Sequence, residues 1–176
     1  MIEAPFSLDF DRLEQGARVR SRGRTITESD LVSFSALTGD WHPQHADVAW
    51  AAESSFGERI AHGMLVLSYA LGLLPIDPDR VVALRGIRNV VFKRPVPIGT
   101  TIRVEAEIAA LKALDDEHGL VELALRVRDA DERLLARATV EALWRRERRE
   151  PSPNGGRPLT AADIDLSPVT EGGVLI

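Results

Sequence analysis

The hydrophobic period of this chain changes once, and that change restricts the fold more than any other feature. From Gly63 to Leu74 the residues are apolar on almost every face, which for a helix of that length means burial inside the protein. From Ile102 the period becomes two. Ile102, Val104, Ala106 and Ile108 alternate with Arg103, Glu105 and Glu107, the pattern of a strand with one wet face. Val121, Leu123, Leu125 and Val127 then alternate with Glu122, Ala124, Arg126 and Arg128, and Ala136, Ala138, Val140 and Ala142 with Leu135, Arg137, Thr139 and Glu141. The links Asp115-Asp116-Glu117-His118-Gly119 and Asp129-Ala130-Asp131-Glu132 have the chemistry and length of hairpin turns, so this end of the sheet is antiparallel. An apolar helix followed by long half-wet strands predicts an α+β protein whose sheet curls around that helix.

Before this point, Thr27-Glu28-Ser29-Asp30 reads as a helix start, followed by Leu31, Phe34 and Leu37 at helical spacing and Gly39 as a stop. Asp47 caps a second short helix through Ala52. Val81 to Phe92 reads as a strand ended by Pro95 and Pro97, and Arg18 to Ile26 as another. Composition shifts near Arg145, where an arginine-rich run precedes prolines between Pro151 and Pro158. The chain therefore divides into one domain over residues 1–150 and an extension over 151–176. In the extension, Thr160-Ala161-Ala162-Asp163 can cap a turn and Val174-Leu175-Ile176 can dock on a neighbour.

Charge and composition exclude several classes of function. The balance of 22 Lys+Arg against 27 Asp+Glu gives a net charge of −5, with arginines scattered, and a nucleic-acid surface needs clustered positive charge. The absence of cysteine removes disulfides, thiolate zinc sites and cysteine nucleophiles together. The longest nearly apolar stretch, Met64 to Leu74, is too short for a bilayer, and Met1 to Pro5 lacks a basic-then-apolar signal. The expectation is a cytoplasmic protein with no membrane and no nucleic-acid partner.

Reactive side chains concentrate in Gly39-Asp40-Trp41-His42-Pro43-Gln44-His45-Ala46-Asp47, with His62-Gly63 at the mouth of the apolar helix. A carboxylate and an imidazole can share one water and redistribute its protons if the loop folds back. Asp40 and His45 would be more than about 15 Å apart in an extended segment, so the idea demands a compact turn. Gly63, in the first helical turn, offers an N–H without an internal partner, and no side chain hinders a carbonyl from reaching it. Water activation beside a donor for an enolate oxygen implies addition of water to an α,β-unsaturated carbonyl, or its reversal.

Phe34-Ser35-Ala36-Leu37-Thr38-Gly39-Asp40-Trp41-His42-Pro43-Gln44-His45 and Phe56-Gly57-Glu58-Arg59-Ile60-Ala61-His62-Gly63-Met64-Leu65 resemble the MaoC-like dehydratase family, which includes (R)-specific enoyl-CoA hydratases. Val90-Val91-Phe92-Lys93-Arg94-Pro95-Val96-Pro97-Ile98-Gly99-Thr100 is similar to the family segment entering the long strands. The resemblance spans roughly Arg18 to Trp144. It implies a hot-dog fold, a homodimer with the acyl channel near the subunit interface, and a hydro-lyase acting on enoyl thioesters. By position it implies Asp40 and His45 as the acid/base pair and the Gly63 N–H as the thioester-oxygen donor; His42 and His62 are candidate supporting residues beside them. The product implied is an (R)-3-hydroxyacyl thioester. Coenzyme A or an acyl carrier enters as part of the substrate, and no separate cofactor or metal is expected. This chain departs from the family in having His42 where Asn is common and Gln44 where an aliphatic residue is preferred.

Plainer roles compete at each position. Asp40 can stabilise a helix-ending turn, His42, His45 and His62 can be structural, Asp47 can be a cap, and Gly63 can serve tight helix packing. Asp40, His42, His45, Asp47 and His62 are also competent metal ligands, although no helical zinc-ligand spacing occurs. Arg88, Lys93, Arg94 and the Arg145 to Arg149 run are candidates for coenzyme A phosphates, and Phe34, Trp41, Trp50 and Phe56 for an acyl channel. A non-catalytic acyl-binding or heteromer-forming subunit and an acyl-CoA thioesterase are the alternative functions.

Overall fold

The computed structural model describes residues 5–147; the tail readings at residues 151–176, with Arg148 and Arg149, lie outside the described residues. After short 3-10 turns at Pro5–Ser7 and Phe10–Arg12 come β1 (Arg18–Arg20), β2 (Arg24–Thr25), α1 (Glu28–Thr38), α2 (Pro43–Ala46), α3 (Val48–Glu53) and α4 (Gly63–Gly72). The long strands β3 (Val81–Phe92), β4 (Thr101–Ala113), β5 (His118–Arg128) and β6 (Leu134–Arg145) follow. The sheet order is β1-β4-β5-β6-β3, antiparallel throughout, with β2 also pairing with β4. This is the α+β hot-dog arrangement.

The alternation read in the sequence sets which face of the sheet is dry. Ile102, Val104, Ile108, Val121, Leu123, Leu125, Val127 and Val140 are all buried, and they form one core with Leu65, Val66 and Ala70 of α4. At 25 cal/mol per Å², each such side chain contributes about 1.5–3 kcal/mol of burial, and that common face holds helix and sheet together. The helix is shorter than expected and not buried all round: Met64, Ser68 and Gly72, four residues apart along one stripe, are exposed. The sheet covers the other sides of α4 and leaves this stripe facing outward.

Other expectations are also adjusted. Arg18 to Ile26 is not one strand: pairing breaks between β1 and β2, where Ser21 turns its N–H onto the Val104 carbonyl (2.8 Å). In α1, Leu31 is buried and Phe34 half-buried, but Leu37 is 82% exposed because the helix runs past the core before Gly39 ends it. β3 carries a bulge at Asn89, whose φ of 54° coincides with a shift of register against β6.

The start of the described chain closes one end of the core. Phe6 is fully buried, edge-on to Trp144 at 6.1 Å, and the Trp144 indole N–H donates to the Leu8 carbonyl (2.9 Å). Arg80 pairs with Asp9 (2.5 Å) beside it. The start of α1 is tied to the body of α4 as well. Asp30 closes the capping box of α1 with Thr27, accepts from Tyr69 of α4 (2.6 Å) and pairs with Arg24 (2.9 Å), whose guanidinium lies over the Tyr69 ring. Among the described residues no helix is long and apolar enough to cross a membrane.

Candidate active site

The turn between α1 and α2 is as compact as the chemistry requires. Gly39 ends α1 in the left-handed region (φ 79°) and returns its N–H to the Ser35 carbonyl (2.8 Å). The chain then folds back on Asp40, whose Oδ1 accepts from the His42 N–H (3.2 Å). Pro43 opens the single turn of α2, and His42 caps it by accepting the Gln44 N–H on Nδ1 (3.2 Å). That turn carries the His45 side chain inward, where it is 5% exposed. The opposite wall is pinned independently: Ile60 N–H donates to the Gln44 carbonyl (3.1 Å) and Ala61 N–H to the Val96 carbonyl (2.8 Å).

As a result, an Asp40 carboxylate oxygen and ring nitrogens of His45 and His62 lie within 4.8 Å of one another. Hydrogen bonds of about 2.8 Å to each partner let one water bridge such a span. Asp40, His45, His62 and Gly63 line a single cavity of about 680 Å³, with Phe34, Phe56, Phe92 and Leu135 among its apolar walls. Gly63 is the first residue of α4, so its N–H has no partner within the helix and the helix dipole adds positive potential there. A Cβ at this position would come within 2.8 Å of the Phe92 ring, so the glycine serves close packing of α4.

The tautomers follow from the partners. His45 Nδ1 lies 2.6 Å from the Ile60 carbonyl, which can only accept, so Nδ1 carries the hydrogen and Nε2 is left as a lone pair. By the same reasoning His62 Nε2 donates to the Asp40 carbonyl (3.0 Å), with Ser35 Oγ 3.3 Å away. His62 Nδ1 is buried without a hydrogen-bond partner among the described residues. Burial pushes the His45 imidazole below its ordinary pKa; His62 and His42 act in the same direction, against the Ile60 carbonyl and Asp40. His45 is thereby favoured in its neutral form, with the Nε2 lone pair turned towards the Gln44 side-chain nitrogen 3.0 Å away.

As a metal centre the same trio is poorly arranged. The His45 and His62 rings are stacked, with centroids 3.7 Å apart and planes 26° from parallel, so their in-plane lone pairs do not converge on one ion. His42 and Asp47 are directed elsewhere: His42 caps α2 and lies edge-on to Trp50 at 5.4 Å, and Asp47 caps α3 through the Trp50 N–H (3.0 Å).

The outer candidates divide. Lys93 and Arg94 line the cavity, as do Phe34 and Phe56, whereas Trp41 and Trp50 do not. Arg88, expected as a phosphate contact, is instead engaged by Glu141 of the adjacent strand β6 and Glu122 of β5 beyond it. Arg146 of the arginine run is held by Asp11 (2.6 Å) and the Asp115 carbonyl (2.9 Å). Sequence reasoning missed the Ile60 carbonyl, Ser35 and the Gln44 amide, which lies 3.0 Å from His45 Nε2. A carbonyl has no signature in sequence; the one trace of the third was the polar residue at 44 where an aliphatic one was expected.

Comparison with known proteins places these features in context. A family profile described as "MaoC like domain" matches residues 10–129. Protein MaoC of Klebsiella aerogenes is 42% identical over 101 residues, which cover 57% of this chain and 30% of that protein, so the chain matches under a third of that relative's length. The (R)-specific enoyl-CoA hydratase of Aeromonas caviae is 34% identical over 100 residues, covering 57% of this chain and 74% of the hydratase. Among solved structures, a monoamine oxidase regulatory protein from Archaeoglobus fulgius aligns with a TM-score of 0.76 at 37% identity, over 80% of this chain and 96% of its own.

Proposed function

The chain belongs to the MaoC-like domain family, and on that premise we propose that it is a hydro-lyase adding water to a trans-2-enoyl thioester to give an (R)-3-hydroxyacyl thioester, or catalysing the reverse. The observation that carries this reading is the opening of Asp40, His45 and Gly63 onto one cavity. The thioester carbonyl rests on the Gly63 N–H. Asp40 and His45 hold one water between them, the water taking the place at the His45 Nε2 lone pair that the Gln44 amide otherwise holds. As the water oxygen bonds to Cβ, the Cα–Cβ π electrons move onto the thioester oxygen, and the Gly63 N–H stabilises the enolate. The pair then passes the water's proton to Cα on the same face, so atoms and charge balance with no cofactor. The apolar walls suit an acyl chain, and Lys93 and Arg94 suit the phosphates of coenzyme A or of an acyl carrier's prosthetic group.

A homodimer is part of this reading. β3, 12 residues long, is an edge strand, and Leu84, Val90 and Phe92 on it are exposed, as is Met64 on α4. A long edge strand with apolar side chains is a template for pairing. A second copy along this edge would cover the half-exposed Phe92 and Met64 at the cavity wall. Incubation with trans-2-enoyl-CoAs of graded chain length, followed by loss of enone absorbance and chiral analysis of the product, tests the activity. No turnover on any member defeats it. Light scattering that returns a monomer defeats the dimer.

A further inference from the structure

His45 Nε2 needs a donor when the ring is neutral and an acceptor when it is charged, and the side chain placed to be both is Gln44. With Nδ1–H committed to the Ile60 carbonyl, neutral His45 presents a lone pair at Nε2, and the Gln44 side-chain nitrogen lies 3.0 Å from it. The same amide carries an acceptor oxygen, half a turn away about its last side-chain bond. The backbone of residue 44 cannot drift, because its N–H donates to His42 Nδ1 (3.2 Å) and its carbonyl accepts from Ile60 N–H (3.1 Å). The origin of the side chain is thus fixed, while its amide end projects into the cavity.

The other charged or titratable groups around His45 do not duplicate this. Asp40 can only accept, His62 presents its ring face rather than an edge, and His42 uses Nδ1 on the Gln44 N–H. Lys93 and Arg94, from the segment after β3, line the cavity and can only donate.

We propose that Gln44 is a positioning residue that follows the proton on His45, donating to Nε2 in the neutral ring and turning its carbonyl oxygen to Nε2–H once the ring is protonated. The inference rests on the reading of His45 as an acid/base group in the proposed hydration. The residue is a departure of this chain, since an aliphatic side chain at 44 offers neither half of the exchange. Because a hydrogen bond from a charged donor is about twice as strong as a neutral one, the amide favours the protonated ring on balance. It thereby counters part of the burial that holds the His45 pKa down.

The test is an NMR titration of the His45 ring nitrogens in the full, ligand-free chain, for the natural protein, Gln44→Leu and Gln44→Glu. Circular dichroism confirms the fold of each variant. The expected order of His45 pKa is Leu lowest, by about half a pH unit or more, then Gln, then Glu, whose carboxylate accepts only. In kinetics with crotonyl-CoA, Gln44→Leu is expected to lower kcat about tenfold with KM nearly unchanged, and to move the His45 limb of the pH profile down. A His45 pKa in Gln44→Leu at or above that of the natural protein overturns the proposal, as does a Gln44→Glu variant that leaves it unmoved. The titration needs no substrate, so a chain that hydrates no enoyl thioester sinks the proposed function without deciding this result.

Discussion

The imidazoles of His45 and His62 lie face to face, with centroids 3.7 Å apart, and both are buried. Burial drives the His45 pKa below its ordinary value of 6.5, and the neighbouring His62 ring acts in the same direction. In this arrangement each ring uses one nitrogen to hold a backbone carbonyl, and the carbonyl held by His62 belongs to Asp40. The stack therefore couples the two ends of the proposed acid/base pair.

One consequence is a pH dependence of stability. The folded pKa of His45 is depressed, so the unfolded chain binds more protons between that pKa and 6.5, and stability rises with pH across the window. His45 contributes in full above 6.5, and the contribution is lost as pH falls through the folded value. Urea midpoints measured from pH 4.5 to 8 should show this slope in the natural protein and a shallower one in His45→Gln. Identical slopes would mean that His45 titrates alike in both states.

Catalysis should depend on both members of the pair. Asp40→Asn keeps the side chain's size and its acceptor for the His42 N–H but removes the negative charge, and His45→Gln removes the titrating nitrogen. Each is expected to lower crotonyl-CoA hydration by about 10²- to 10⁴-fold. A folded double variant with undiminished rate would rule the pair out.

At Gly63 the donor role and the packing role can be separated. Gly63→Ala places a Cβ 2.8 Å from the Phe92 ring, and such overpacking typically destabilises by about 1–3 kcal/mol. Adding Phe92→Leu should restore much of the thermal stability. If the methyl blocks the approach of the thioester oxygen, hydration stays low in the double variant. Full recovery of the rate would assign Gly63 to packing alone.

Gly119 tests the closing end of the core. A Cβ there would lie 2.3 Å from two atoms of the Phe10 ring, so Gly119→Ala must displace the ring from its place over β5. Thermal unfolding should report a loss of about 1–3 kcal/mol, partly recovered by Phe10→Leu, while the turnover of the remaining folded protein stays close to natural. An unchanged melting temperature would show that Phe10 does not occupy this position in solution.

Local patterns carried much of this in plain view. The alternation in β4, β5 and β6, the Thr27 cap of α1, the Gly39 stop and the Asp47 cap are each decided by neighbours a few residues apart, and the structure keeps them all. Residues judged by period alone fared worse where their surroundings come from far along the chain. Leu37 satisfies the helical spacing yet faces water, and Met64 sits in the most apolar segment yet lies on its open stripe. Periodicity says which residues share a face, but not whether anything covers it.

The sequence by itself determined the residue types at the site, the buried helix and the antiparallel strands, because backbone preference and hydrophobic period act over short range. Only the tertiary structure decided what those residues do to one another. The carbonyl of Ile60 selects the tautomer of His45, the Phe92 ring closes on Gly63, and Glu122 and Glu141 take Arg88 away from any ligand. These contacts join segments 15 to 53 positions apart. Their free energy depends on distance and on exclusion of water, and neither exists until the sheet has folded over α4.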